Sequence, residues 1–187
     1  GSVITSIGAE AFAGCTALTE LVIPASTTSV GNGAYSGCAG LREVSFAPNG
    51  QNVTFGTNVF AGCSKLIKVN LSASISSFDG SVFSGCEALA EIQVDDDSDS
   101  FVSYNGALYT KDYEEILFYP RALDGDLTKL HPDLREIGAS VFQGNAKITA
   151  IEIGKNVVSI GDHAFDNCYN LETVTFEEGA VAMTIGD

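Results

Sequence analysis

The chain has 187 residues, 45% of them apolar, a formal net charge of −15 and an isoelectric point near 4.2. That charge excludes nucleic-acid binding, because phosphates demand a basic footprint, and it opposes docking on an anionic membrane surface. No apolar run approaches the roughly 20 residues of a membrane-spanning helix, so direct membrane insertion of this segment is not expected, while the apolar content is ample for a core.

Gly1-Ser2 reads as a cloning remnant. The chain then opens inside one copy of a recurring signature, Ile-Gly-x-x-Ala-Phe-x-Gly-Cys, and stops inside another at Ile185-Gly186-Asp187. The expectation is a piece of a longer protein, with signal and anchor outside it. The clean copies start at Ile7 and Ile160, with variants at Val30, Phe55, Phe78 and Ile137. The anchor aromatics are Phe12, Tyr35, Phe60, Phe83, Phe142 and Phe165, at offsets of 23, 25, 23, 59 and 23 residues. A period of this size marks a stacked repeat array, in which each unit is too small to fold alone. The repeat therefore overrides the length prior of one or two domains. It predicts a single elongated domain over 1–187.

Within the first unit, Ala9 to Cys15 lacks alternation and reads as a short helical or turn segment. Leu18, Leu21 and Ile23 follow, with Leu21 and Ile23 alternating about Val22, which predicts a short strand with one face inward. The same columns hold Leu41, Val44 and Phe46; Leu66, Val69 and Leu71; Leu89, Ile92 and Val94; Ile148, Ile151 and Ile153; Leu171, Val174 and Phe176. Stacked units would set these strands about 4.8 Å apart in a parallel ladder. A second short extended piece is expected before each Ile-Gly pair, as at Thr28-Ser29-Val30.

Two glycine columns punctuate the units. One is Gly8, Gly31, Gly56, Gly138 and Gly161, with Asp79 as its exception; the other is Gly14, Gly37, Gly62, Gly85 and Gly144, with Asn167 as its exception. Asp and Asn are the non-glycine residues that best tolerate positive φ, so both columns are expected to be left-handed turns. Cys15, Cys38, Cys63, Cys86 and Cys168 share a third column, with Asn145 in the sixth place. Their spacing is unlike paired zinc ligands. Parallel stacking and an odd count speak for a ladder of free thiols against disulfides.

Between Phe83 and Phe142 lie two ordinary periods plus 13 residues. The acidic run Asp95, Asp96, Asp97 and Asp99 opens the excess. Read as a calcium loop from Asp95 it fails, because Ser100 and Gly106 stand where Gly and Glu are needed; a solvated loop is expected. Asn105-Gly106 signals a tight turn. Ala107–Thr110 and Ile116–Tyr119 read as strands about a polar connection, giving a hairpin-containing enlarged repeat over about 95–136. Leu127, Leu130, Pro132 and Ile137 restore the phase. Tyr104, Tyr109, Tyr113 and Tyr119 cluster here. They either cover the hairpin or form an aromatic patch that stacks on sugars or anchors a partner.

These residues resemble the BspA-type leucine-rich repeats of bacterial surface proteins. Ile23-Pro24, Val30-Gly31, Ala11-Phe12 and Cys15 match that pattern, Tyr35 and Asn145 depart from it, and the Tyr-rich stretch is similar to one found between repeats in the family. The resemblance implies a leucine-rich-repeat solenoid: short parallel strands in a ladder, with short helical or turn segments opposite.

No catalytic fingerprint is present, only His131 and His163 occur among histidines, and no cofactor or metal is expected. The outward strand columns are Glu20, Glu43, Lys68, Glu91, Ala150 and Thr173, and Val22, Ser45, Asn70, Gln93, Glu152 and Thr175. They are either a polar ligand face or merely solvated. The resemblance implies a non-catalytic cell-surface or secreted domain. It would bind an extracellular protein partner, from host matrix or another cell surface, in adhesion. The alternatives are a structural spacer or carbohydrate binding through the Tyr-rich elaboration.

Overall fold

The computed structural model describes residues 3–47, 52–77, 79–123 and 130–187. The expectations for Gly1-Ser2, Phe78 and Leu127 fall outside them. The chain is a β-solenoid with almost no helix. Its first ladder is a four-stranded parallel sheet of Glu20–Ile23, Glu43–Phe46, Lys68–Leu71 and Glu91–Val94, in that spatial order. The same ladder resumes as Ala150–Ile153 beside Thr173–Phe176. Register follows the sequence columns: Glu20 faces Glu43, Glu43 faces Lys68, and Lys68 faces Glu91. Two-residue strands before each Ile-Gly position form the second ladder, with Ser6–Ile7, Ser29–Val30 and Thr54–Phe55 in one sheet. Glu136–Ile137, Ser159–Ile160 and Thr184–Ile185 continue it beyond the elaboration.

Among the described residues the segments opposite the strands are hydrogen-bonded turns, with a 3₁₀ turn at Gly80–Phe83. They are too short to repay helix nucleation. Instead, alternate N–H groups of one coil donate to carbonyls of the next. Glu10, Phe12 and Gly14 donate to Asn32, Ala34 and Ser36 at 2.9, 2.8 and 2.7 Å. Gly33, Tyr35 and Gly37 donate in turn to Thr57, Val59 and Ala61.

The anchor aromatics stack in a column that is buried at Tyr35, Phe60, Phe83 and Phe142 and exposed at Phe12. Phe12 and Tyr35 lie 5.1 Å apart, Tyr35 and Phe60 5.5 Å, and Phe60 and Phe83 5.7 Å, with planes within 14° of parallel. At the elaboration Phe118 packs on Phe83 at 5.7 Å and Tyr119 on Phe142 at 5.2 Å, and Phe142 then stacks on Phe165 at 4.9 Å. Two side chains from one strand end thus fill the ring column where a whole coil is missing. The cysteines are free and form their own column. The Sγ of Cys38, Cys63, Cys86 and Cys168 donates to the carbonyl of Phe12, Tyr35, Phe60 and Phe142 in the coil before, at 3.0–3.3 Å. Asn145 differs. Its Oδ1 accepts from Lys147 and Ile148 in its own coil, and its buried Nδ2 has no hydrogen-bond partner.

One glycine column follows the expected logic and the other does not. Gly14, Gly37, Gly62, Gly85 and Gly144 have φ of 70–72°, and Asn167 has 58°. The Ile-Gly column is not left-handed, and Asp79 sits at φ −116°. Beyond Gly8, which has open space beside it, those glycines are required by close approach. A Cβ on Gly31 would lie 2.5 Å from the Ala9 nitrogen, and one on Gly161 2.6 Å from the Ala139 nitrogen. The second left-handed column lies two residues further on, at Glu10, Gly33, Asn58, Ser140 and His163 (φ 54–60°). Where Asp79 replaces glycine the turn becomes 3₁₀, with its carboxylate capping Ser81 N at 2.7 Å.

The elaboration is a three-stranded antiparallel meander, one strand more than the expected hairpin. Phe101–Tyr104 pairs with Ala107–Thr110 across Asn105-Gly106, both at positive φ, and Ala107–Thr110 pairs with Glu115–Phe118. Glu115–Phe118 then lies parallel to Glu136–Ile137 and hands the chain back to the solenoid.

Candidate functional site

The outward strand columns form one continuous surface over the four-stranded sheet. Leu21, Val44, Val69 and Ile92 point inward, which by strand alternation turns their neighbours outward. Glu20, Val22, Glu43 and Gln93 are exposed, whereas Ser45, Lys68, Asn70 and Glu91 are half-buried by one another. The side chains are cross-linked along the ladder. Asn70 donates to the Glu43 carboxylate at 2.8 Å, Lys68 pairs with Glu91 at 3.5 Å, and Gln93 donates to Glu91 at 2.8 Å. Each of these links is exposed and worth on the order of 0–1 kcal/mol, so they order the surface more than they hold the fold. Glu152 lies on the separate two-stranded sheet beside Thr175, beyond the elaboration.

The tyrosines divide. Tyr109 and Tyr119 are buried, at 1% and 7% exposure. Tyr119 leaves the cluster and packs on Phe142. Burial pushes the Tyr109 phenol well above its usual pKa. Tyr104 and Tyr113 stay half-exposed and enclose a residue that sequence distance hid. The His131 ring stacks on Tyr113 at 4.0 Å with planes 10° apart and meets the edge of Tyr104 at 4.8 Å. His131 Nδ1 accepts from Asp133 N at 3.2 Å. One face of Tyr113 is therefore occupied from within. His163 is exposed in its turn.

In the acidic loop, Asp95 Oδ1 accepts from Asp97 N and the Asp96 carbonyl accepts from Lys111 Nζ. Among the described residues no group of three or more His, Cys, Asp or Glu side chains is arranged to hold a metal. Among the described residues no helix is long and apolar enough to cross a membrane.

The BspA type leucine rich repeat region, as a protein family, matches residues 2–109 and 127–186 in six copies. Among curated proteins there is no significant match. Among solved structures the chain is similar to the pneumococcal vaccine antigen PcpA. That match has 24% identity and a TM-score of 0.83, and covers 96% of this chain and 44% of that one. It is similar also to a leucine-rich repeat protein from Eubacterium ventriosum, at 22% identity and a TM-score of 0.68, covering 99% of this chain and 59% of that one. The chain thus spans about half the length of these relatives, and the likeness is one of fold.

Proposed function

The chain belongs to the BspA-type leucine-rich repeat family, and from that premise we propose that it is a non-catalytic binding segment of a secreted or cell-surface protein, engaging an extracellular protein partner in adhesion. The observation that carries this reading is the registered face built from Glu20, Glu43, Lys68, Glu91, Ser45, Asn70 and Gln93. Solenoids present such extended faces to large partners. The pre-ordered links among these side chains reduce the ordering entropy that a partner must overcome. Acidic side chains at Glu20, Glu43 and Glu91, on a chain of net charge −15, favour a basic partner surface, with charge governing encounter rate more than affinity. We take 1–187 as one solenoid unit, with the elaboration at about 95–136 as an enlarged repeat within it.

The test is binding of the chain to a panel of immobilised extracellular-matrix proteins, alongside a glycan array. The reading expects a matrix protein to be retained, more weakly at high salt. The double charge reversal Glu43→Lys with Glu91→Lys should cut retention about tenfold or more. A glycan signal lost on Tyr113→Ala would transfer the function to Tyr104 and Tyr113. Silence on both arrays would favour a spacer.

A further inference from the structure

Among the described residues the turn ladder breaks between residues 79–84 and 139–143, and the break is a cleft. In an intact junction, alternate N–H groups of one turn fill alternate carbonyls of the next. Ser140, Phe142 and Gly144 donate to Asp162, Ala164 and Asp166 at 3.0, 2.9 and 2.8 Å. One coil earlier, the equivalent acceptors are the carbonyls of Ala139, Val141 and Gln143. Among the described residues no donor reaches any of the three. The coil that would supply donors is replaced by the elaboration, whose Glu115–Phe118 strand meets Glu136–Ile137 but does not extend across the turns. Facing these carbonyls is the turn of Asp79 to Ser84. Leu117, Phe118 and Tyr119 line the same space, a cleft of about 470 Å³, within the usual range for ligand pockets.

The charge in the cleft is one-sided. Among the described residues, Asp79 and Glu115 both line it, while the one lining cation, Arg121, is paired with Glu87. We propose that this cleft receives an extended, basic peptide arm of a protein partner, whose alternate main-chain N–H groups donate to Ala139, Val141 and Gln143 while a lysine or arginine side chain meets Asp79 and Glu115. Addition of a strand to an unpaired row of main-chain acceptors is an established mode of peptide capture. Here the acceptors are held by the coil beneath and need no rearrangement. Burial, with the nearby Glu136 and Asp112 charges, raises the Glu115 pKa, and an incoming cation would relieve that strain. The site is separate from the strand face.

The probe is an N-acetylated, C-amidated hexapeptide alternating alanine and lysine, titrated into the ¹⁵N-labelled chain and followed by amide shifts. The expected result is saturable shifts confined to residues 79–85 and 138–144. Affinity should fall about tenfold or more when alternate peptide nitrogens are methylated, since each methyl removes a donated hydrogen bond. It should fall several-fold in Glu115→Gln. Ser84→Trp fills the cleft from an exposed position and should abolish binding while leaving the melting temperature unchanged. Equal binding of the methylated peptide, equal binding of an alanine–glutamate hexapeptide, shifts on the strand face, or no saturation by about 5 mM would each overturn the proposal. Matrix binding that survives Ser84→Trp leaves the strand-face reading standing whatever the hexapeptide does.

Discussion

Two glycines with the same place in the same motif should respond in opposite ways to one added methyl group. A Cβ on Gly31 would sit 2.5 Å from the Ala9 nitrogen and 2.8 Å from the Gly8 carbonyl carbon, whereas one on Gly8 meets nothing within 4 Å. Both partners of Gly31 are backbone held by the Gly31 N to Ile7 O hydrogen bond at 2.8 Å, so no side chain can swing aside. The coils must part by about 1 Å, and overpacking of this kind costs about 1–3 kcal/mol, with rigid main chain on both sides favouring the upper end. At roughly 2–4 °C per kcal/mol for a chain of this size, Gly31→Ala should lower Tm by about 6–12 °C. Gly8→Ala, at a backbone conformation alanine can adopt, should be neutral or stabilise by about 0.4–1 kcal/mol through the unfolded state. Gly161→Ala serves as a control close to the other end, where the approach is 2.6 Å, and should behave like Gly31→Ala. Urea unfolding followed by far-ultraviolet circular dichroism reads all three at constant m-value. If Gly8→Ala were as damaging as Gly31→Ala, close approach between coils would not be the reason for this column.

Tyr35 has its phenol pKa pushed up to about 12, by burial first and the Cys38 charge second. Its neutral form is therefore favoured by folding, and stability should fall as pH rises from about 10 to about 12. Tyr35→Phe should flatten that part of the alkaline unfolding profile, and an unchanged profile would remove Tyr35 from the cause. Thiol titration with a disulfide reagent should find Cys15 reacting at once and Cys168 slowly. Cys38, Cys63 and Cys86, all buried, should react only at the rate of unfolding; fast reaction of all five would contradict the ladder. Thermal unfolding of the whole chain should be a single transition seen alike by tyrosine fluorescence and circular dichroism, because the consecutive residues Phe118 and Tyr119 tie Phe83 on one side of the elaboration to Phe142 on the other; two resolved transitions would divide the chain at the elaboration.

Much of this was legible because in a solenoid the period is the geometry. Once Phe12, Tyr35 and Phe60 share a sequence column, their stacking and the Glu20–Glu43–Lys68–Glu91 register follow. What escaped is what depends on contacts across coils. Glu10, Asn58, Ser140 and His163 have no composition in common, so their left-handed column left no trace in sequence; the N–H of Glu10, Ser140 and His163 donates to a carbonyl of the neighbouring coil, and that of Asn58 to the Ser81 hydroxyl. The Ile-Gly column was read as left-handed because Asp79 mimicked that rule, whereas Asp79 caps a 3₁₀ turn. The strand at Phe101–Tyr104 was hidden behind the acidic run and the break in period. His131 joined Tyr104 and Tyr113 only in three dimensions. The cleft had no signal in sequence, because it is defined by a coil that is missing.

The account rests on coils stacked in register, and a double-mutant cycle on Tyr35→Leu and Phe60→Leu tests that most directly. Stacked rings 5.5 Å apart should couple by about 0.5–1.5 kcal/mol beyond their separate burial, while the non-adjacent pair Phe12 and Phe60 should not couple. Additivity of Tyr35 and Phe60 within about 0.3 kcal/mol would mean that the ring column does not exist in solution, and the registered strand face would lose its foundation with it.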